Sequence, residues 1–280
     1  MIIICYNFQM YEKEIESAQK VLNETDALFI MAGAGMGVDS GLPDFRGVEG
    51  FWNAYPKVRE LGLRFEEMAN PEWFENDPHL AWAFYGHRLH LYRETEPHEG
   101  FIKLLYLANT KKYGSFVFTS NVDGQFQKAG FAEERIMECH GSIHHLQCLD
   151  NCQGMIWSAE DIQIEITDDF RAKDPLPACP FCGAVARPNI LMFGDYGWEY
   201  ARTDGQRERL AKWMEMMEEE EGKPAIIEMG AGTAVATVRN TSEQIADRFD
   251  VPLIRINPRE SFGAQVELPM GALEALSNII

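Results

Sequence analysis

Apolar positions along the chain fall into two kinds of run. Residues 27–31, 115–119, 190–193, 225–229 and 253–256 are short and almost continuously apolar. Such runs predict strands covered on both faces. Residues 135–139 read as a weaker sixth strand. Between them the apolar positions recur at helical spacing. Residues 12–23 place Ile15, Ala18, Val21 and Leu22 on one face, and residues 101–108, 207–221 and 242–250 follow the same rule. Strands alternating with helices predict an α/β fold with a Rossmann-like parallel sheet. Two stretches break the alternation. Residues 50–97 are rich in Trp, Phe and Tyr and read as helices broken at Pro71 and Pro78, whereas residues 148–187 are loop-rich.

Length and charge narrow the class. A chain of 280 residues that is 46% hydrophobic fits one large domain carrying insertions. No apolar run approaches the roughly 18 residues of a membrane span. The opening Met1-Ile2-Ile3-Ile4-Cys5 is too short and lacks the basic flank of a signal peptide. These features predict a cytoplasmic protein with no membrane partner. A net charge of −19 argues against nucleic acid, whose binding rests on neutralising phosphates. Four of the six cysteines form two short pairs, Cys148-x3-Cys152 and Cys179-x2-Cys182. Two such pairs can close a thiolate tetrahedron around structural Zn²⁺, and the cytosolic reading disfavours disulfides. The predicted organisation is therefore a Rossmann-like domain from residues 1–50, 98–143 and 188–280, a helical insertion at 51–97, and a zinc-binding module at 144–187.

The first strand runs into Gly33-Ala34-Gly35-Met36-Gly37-Val38-Asp39-Ser40-Gly41-Leu42-Pro43-Asp44-Phe45-Arg46. Closely spaced glycines after a strand let backbone N–H groups approach a phosphate. Thr119-Ser120-Asn121-Val122-Asp123 and Glu138-Cys139-His140-Gly141 follow at the ends of two further strands, where open α/β sheets bind ligands. These strings, in this order, resemble the signatures of the sirtuins, NAD-dependent protein deacylases. Val251 to Asn257 resembles the last signature, so the resemblance runs from about residue 25 to 260. It implies NAD as co-substrate, an acyl-lysine protein as substrate, and release of nicotinamide and O-acyl-ADP-ribose. It makes His140 the general base, a role suited to an imidazole with a pKa of ~6.5. Asn121 orients the ribose and a water. Asp44 and Asp123 organise the nicotinamide pocket, and Phe45 covers the reactive ribose. Arg46 and the amides of Gly33, Ala34 and Gly35 face the diphosphate. Ser120 and the turn of Gly230, Gly232 and Thr233 approach the cofactor, and Asn257 bonds the adenine-side ribose.

The chain departs from the pattern in places. The loop Phe193-Gly194-Asp195-Tyr196-Gly197-Trp198 carries Asp for the family's Glu and adds two aromatics. These either narrow the peptide groove or pack on the zinc module. Tyr85 and Arg88 resemble the Tyr-x-x-Arg pair of sirtuins that take acidic acyl groups such as succinyl; one helix face carries residues three apart in any amphipathic helix. The competing function on the same NAD pocket is NAD hydrolysis or ADP-ribosyl transfer to a protein. The sequence names neither the target proteins, the acyl chain nor the oligomeric state.

Overall fold

The computed structural model describes residues 10–43 and 48–280. Its centre is a six-stranded sheet in the order β3-β2-β1-β7-β8-β9, built from β1 (Ala27–Ala32), β2 (Ser115–Thr119), β3 (Ile136–Glu138), β7 (Pro224–Met229), β8 (Leu253–Ile256) and β9 (Val266–Leu268). Every pairing is parallel. Strand β1 is buried at all its positions, as its unbroken apolar run requires. Its side chains alternate between two cores. Leu28 and Ile30 pack with Ile15, Leu22 and Phe101, whereas Phe29 and Met31 pack with Trp213, Met217 and Ile245. Helices therefore cover both faces. The helix predicted at residues 207–221 is Ala201–Glu219, and that at 242–250 is Thr237–Phe249.

A second sheet has the order β5-β4-β6, from β4 (Gly141–Cys148), β5 (Ile156–Ser158) and β6 (Ala186–Ile190), with antiparallel pairing. Sequence pattern did not mark β4, because His144, His145 and Gln147 interrupt its apolar positions. The strand expected at 190–193 ends at Ile190 and lies in this small sheet, not in the parallel one. The helical segments of residues 48–94 and this sheet share one core, in which Trp82, Phe84 and Tyr85 meet Ile143, Leu146 and Ile190. One ion pair and one arginine clamp reinforce that contact. Arg171 binds Asp77 bidentately, and Arg93 donates to the carbonyls of Ala159 and Ile162.

Strand order reverses between β1 and β7, so the chain leaves their carboxyl ends in opposite directions and opens a crevice. There two backbones nearly touch. A Cβ on Gly35 would lie 2.7 Å from Gly230 Cα, and one on Gly230 would lie 2.4 Å from the Gly35 backbone. Gly230 also holds φ at +60°. Gly230→Ala is expected to cost roughly 2–4 kcal/mol through overpacking and left-handed strain. Urea unfolding measures it, and an unchanged midpoint would contradict this account.

Candidate active site

The crevice opens into a cavity of about 720 Å³. Its walls come from the β1, β2 and β3 carboxyl ends, the helix Pro78–Glu94, the loop after β6 and the loop after β7. Of the residues singled out in the sequence, Gly33, Ala34, Tyr85, Arg88, Ser120, Asn121, Asp123, His140 and Gly232 line it. These positions span two hundred residues of chain, so the convergence is a property of the fold.

His140 sits where the two sheets join, between β3 and β4. The turn there needs glycine. Gly141 has φ +75°, and a Cβ on it would meet Asn189 O at 2.1 Å. The His140 carbonyl accepts from Leu191 N–H at 3.0 Å, which fixes the backbone. Burial holds the imidazole pKa below its ordinary value, and a hydrogen bond to the Ser120 backbone opposes that only in part. The ring is therefore neutral near pH 7 and able to take a proton.

The β2 loop is tied to β1. Thr119 Oγ1 donates to Ala32 O at 3.0 Å and accepts from Asn121 N–H at 3.0 Å, and Asn121 Nδ2 donates to Gly33 O at 3.1 Å. Asp123 is buried, and burial lifts its carboxyl to about 6, although the Gln125 N–H and Arg88 pull the other way. Tyr85 is 1% exposed, and its hydroxyl has no hydrogen-bond partner among the described residues.

Several expected placements differ. Gly33 N–H donates to Met229 O at 2.9 Å and Gly35 N–H to Gly230 O at 3.0 Å, so these amides are engaged across the crevice and are not offered to a diphosphate. The glycines answer to backbone approach instead. Asn257 is fully buried outside the cavity wall. Its Nδ2 donates to Ala231 O, and its Oδ1 accepts from the N–H groups of Arg259 and Glu260. It positions the neighbouring turns in place of the expected ribose contact. Thr233 gives its N–H and hydroxyl to the Glu260 carboxylate at 3.0 and 2.7 Å. Asp44, Phe45 and Arg46 lie outside the described residues. The structure adds wall residues that sequence reading missed, chiefly Tyr92, Arg259 and Glu260. No motif marked them. Tyr92 alone had a usable signal, its spacing of four from Arg88.

The loop after β6 is held by a buried ion pair. Arg187 donates bidentately to Asp195 at 2.7 and 2.9 Å, and both side chains are almost fully buried. Phe193 N–H donates to Ala69 O, and its ring meets Phe65 edge-on at 6.1 Å at the cavity wall. Tyr196 neither plugs the cavity nor packs on the cysteine module; it is fully exposed.

The four paired cysteines converge. Their Sγ atoms lie within 4.8 Å of one another, with Cys148–Cys182 at 3.6 Å and Cys152–Cys179 at 3.7 Å. A disulfide requires about 2.05 Å. A zinc tetrahedron with bonds of about 2.3 Å has edges of about 3.8 Å, which these separations match. The residues present fit a closed structural zinc site.

A crevice at the switch point of a parallel sheet, beside a compact four-cysteine module, defines a Rossmann-like α/β architecture with a metal-binding insertion. The Sir2 family signature matches residues 33–219, about two thirds of the chain, and the chain belongs to the Sir2 family. Similar curated proteins include the NAD-dependent protein deacylase of Thermococcus sibiricus, 34% identical over 183 residues covering 65% of each chain. That of Pyrococcus furiosus is 34% identical over 178 residues, covering 63% of this chain and 64% of its own. The match thus spans just under two thirds of these relatives' length. Among solved structures, a Sir2 homologue–NAD complex is 26% identical with a TM-score of 0.70, covering 94% of this chain and 91% of its own. A mutant Sir2 homologue bound to ADP-ribose is 27% identical with a TM-score of 0.70, covering 94% of both chains. Among the described residues no helix is long and apolar enough to cross a membrane.

Proposed function

We propose that this protein is an NAD-dependent lysine deacylase acting on acyl-lysine proteins, with preference for acyl groups that end in a carboxylate. The observation carrying the reading is the meeting of neutral His140 with Asn121 and Asp123 in one cavity at the β2 and β3 ends. NAD, when bound, supplies an electrophilic ribose carbon and nicotinamide as its leaving group. His140 takes a proton from a ribose hydroxyl. Asn121, braced by Gly33 and Thr119, holds the ribose side of the cavity. Asp123 binds the carboxamide, and Ala34, Ser120 and Gly232 form the cofactor wall. The buried walls exclude water, the competing nucleophile. Unpaired cysteines and the acidic surface suit a reducing cytoplasm.

Mass spectrometry of products from NAD and a panel of acyl-lysine peptides tests the reading. O-acyl-ADP-ribose is expected. Plain ADP-ribose alone would select NAD hydrolysis, and a modified protein would select ADP-ribosyl transfer.

The acyl preference rests on Tyr85 and Arg88. A buried guanidinium and a buried hydroxyl with no partner among the described residues share the cavity wall, and together they complement a carboxylate. Arg88→Met is expected to lower the succinyl-to-acetyl ratio of kcat/KM by roughly 10–100-fold, as loss of a charged hydrogen bond implies. An unchanged ratio in steady-state assays removes the pair from substrate recognition.

A further inference from the structure

We propose that His144 is a positioning residue: its Nε2–H holds the Asp123 carbonyl and thereby aims the Asp123 carboxyl at the carboxamide of nicotinamide. The inference rests on the carboxamide reading of Asp123 above and names the side chain that fixes it. His144 lies on β4, where it is one of the polar residues that interrupt the apolar pattern of the strand. A polar ring taken partly out of water costs free energy unless it is hydrogen-bonded, and its partner here is the loop that carries Asp123.

Two contacts run from β4 to the loop after β2. Ile143 N–H donates to Val122 O at 3.0 Å, and His144 Nε2 lies 2.9 Å from Asp123 O. A carbonyl oxygen only accepts, so the proton of this bond is on Nε2. The ring edge also packs on the turn itself. A Cβ at Gly124 would lie 2.7 Å from His144 Cδ2 and 2.8 Å from its Nε2. The His144 backbone is pinned in turn, since its carbonyl accepts from Ala159 N–H at 2.9 Å. The imidazole therefore bridges the small sheet and the Asp123 peptide group.

Asp123 needs that brace. Its Oδ1 accepts from Gln125 N–H at 2.9 Å, which ties the carboxyl to its own turn and not to either sheet. Thr119 and Asn121 fasten the start of the loop to β1 and Gly33, and the two bonds from β4 fasten Val122 and Asp123. The direction of the Asp123 carboxyl follows that of its peptide group, which His144 sets. Burial holds the His144 pKa below its ordinary value, although the bond to Asp123 O and the Glu138 carboxylate pull the other way. The ring is neutral near pH 7 with its single N–H on Nε2. It gives the loop a donor and adds no charge beside Asp123.

The test measures nicotinamide, the released product that returns to the same pocket, as an inhibitor of the full zinc-loaded chain, together with KM for NAD and for one acetyl-lysine peptide. His144→Leu removes the donor and keeps the bulk. It is expected to raise the nicotinamide inhibition constant and KM for NAD about 3–10-fold, as loss of one hydrogen bond implies, while KM for the peptide moves less than about twofold. His144→Gln, whose amide N–H reaches the same place, is expected to return the first two constants to within about twofold of wild type. A merely structural role would shift the nicotinamide and peptide constants together and would not separate Gln from Leu; either result overturns the proposal. Nitrogen NMR of the unmutated protein reads the same bond without any change to the fold, with His144→Gln assigning the resonance. The Nε2–H tautomer is expected, and the Nδ1–H tautomer overturns the role of His144. Asp123→Asn separates this inference from the reading beneath it. Weaker nicotinamide inhibition in Asp123→Asn with none in His144→Leu removes His144 alone, whereas unchanged inhibition in Asp123→Asn removes the carboxamide reading and His144 with it.

Discussion

Replacing His140 with alanine is expected to abolish deacylation, by at least about 10²–10⁴-fold in kcat, the range of a positioned general base. Binding of NAD is expected to persist, because the backbone that shapes the crevice is held elsewhere. Gly33 and Gly35 bond to Met229 and Gly230, and Asn121 bonds to Gly33, without using the imidazole. Calorimetry for NAD and product assays for acyl transfer separate the two properties. The wild-type pH profile carries the same signature. Burial lowers the His140 pKa below 6.5, and the base works only when neutral. kcat/KM therefore rises with pH through a value below 6.5 and is level near neutrality. Deacylation at the wild-type rate in the alanine variant would remove His140 from the mechanism. An acid limb centred above 7 would contradict the burial argument.

Stripping the metal, or replacing Cys179 with serine, is expected to have the largest effect on stability. The four thiols come from the end of β4 with the loop after it and from the loop before β6, and no disulfide joins them. Structural zinc contributes about 10–16 kcal/mol in small zinc-binding peptides near neutral pH, so its loss exceeds the margin of most domains. The consequence reaches the active site. Strand β4 begins one residue after His140, and β6 leads into Leu191, Met192 and Phe193 of the cavity wall. Metal analysis should find one zinc per chain. Chelation should lower the melting temperature by more than about 10 °C and remove deacylase activity with it. A chelated chain that melts at its original temperature would rule out a zinc-dependent module.

Much of the site was legible because it lies in contiguous strings at strand ends. Ser120, Asn121 and Asp123 follow β2, His140 follows β3, and Gly33 and Ala34 follow β1, each string preceded by an apolar run. Tyr92, Arg259 and Glu260 were not legible. They reach the cavity from a helix and from the turn after β8, and no local spacing ties either to His140. Asn257 shows the converse. Its string pointed to the cofactor, yet both ends of its amide hold backbone.

Residue order alone determined five of the six strands of the parallel sheet, the helices that flank it and the metal-binding pairs of cysteines. Periodicity and short-range spacing are written in consecutive residues, and they need no partner to be read. Tertiary packing decided the rest. The antiparallel sheet around β4 and the contact that forces glycine at Gly35 and Gly230 both depend on segments distant in the chain. Their energies arise from backbone approach, burial and hydrogen bonding between those segments, which exist only once the strand order is set.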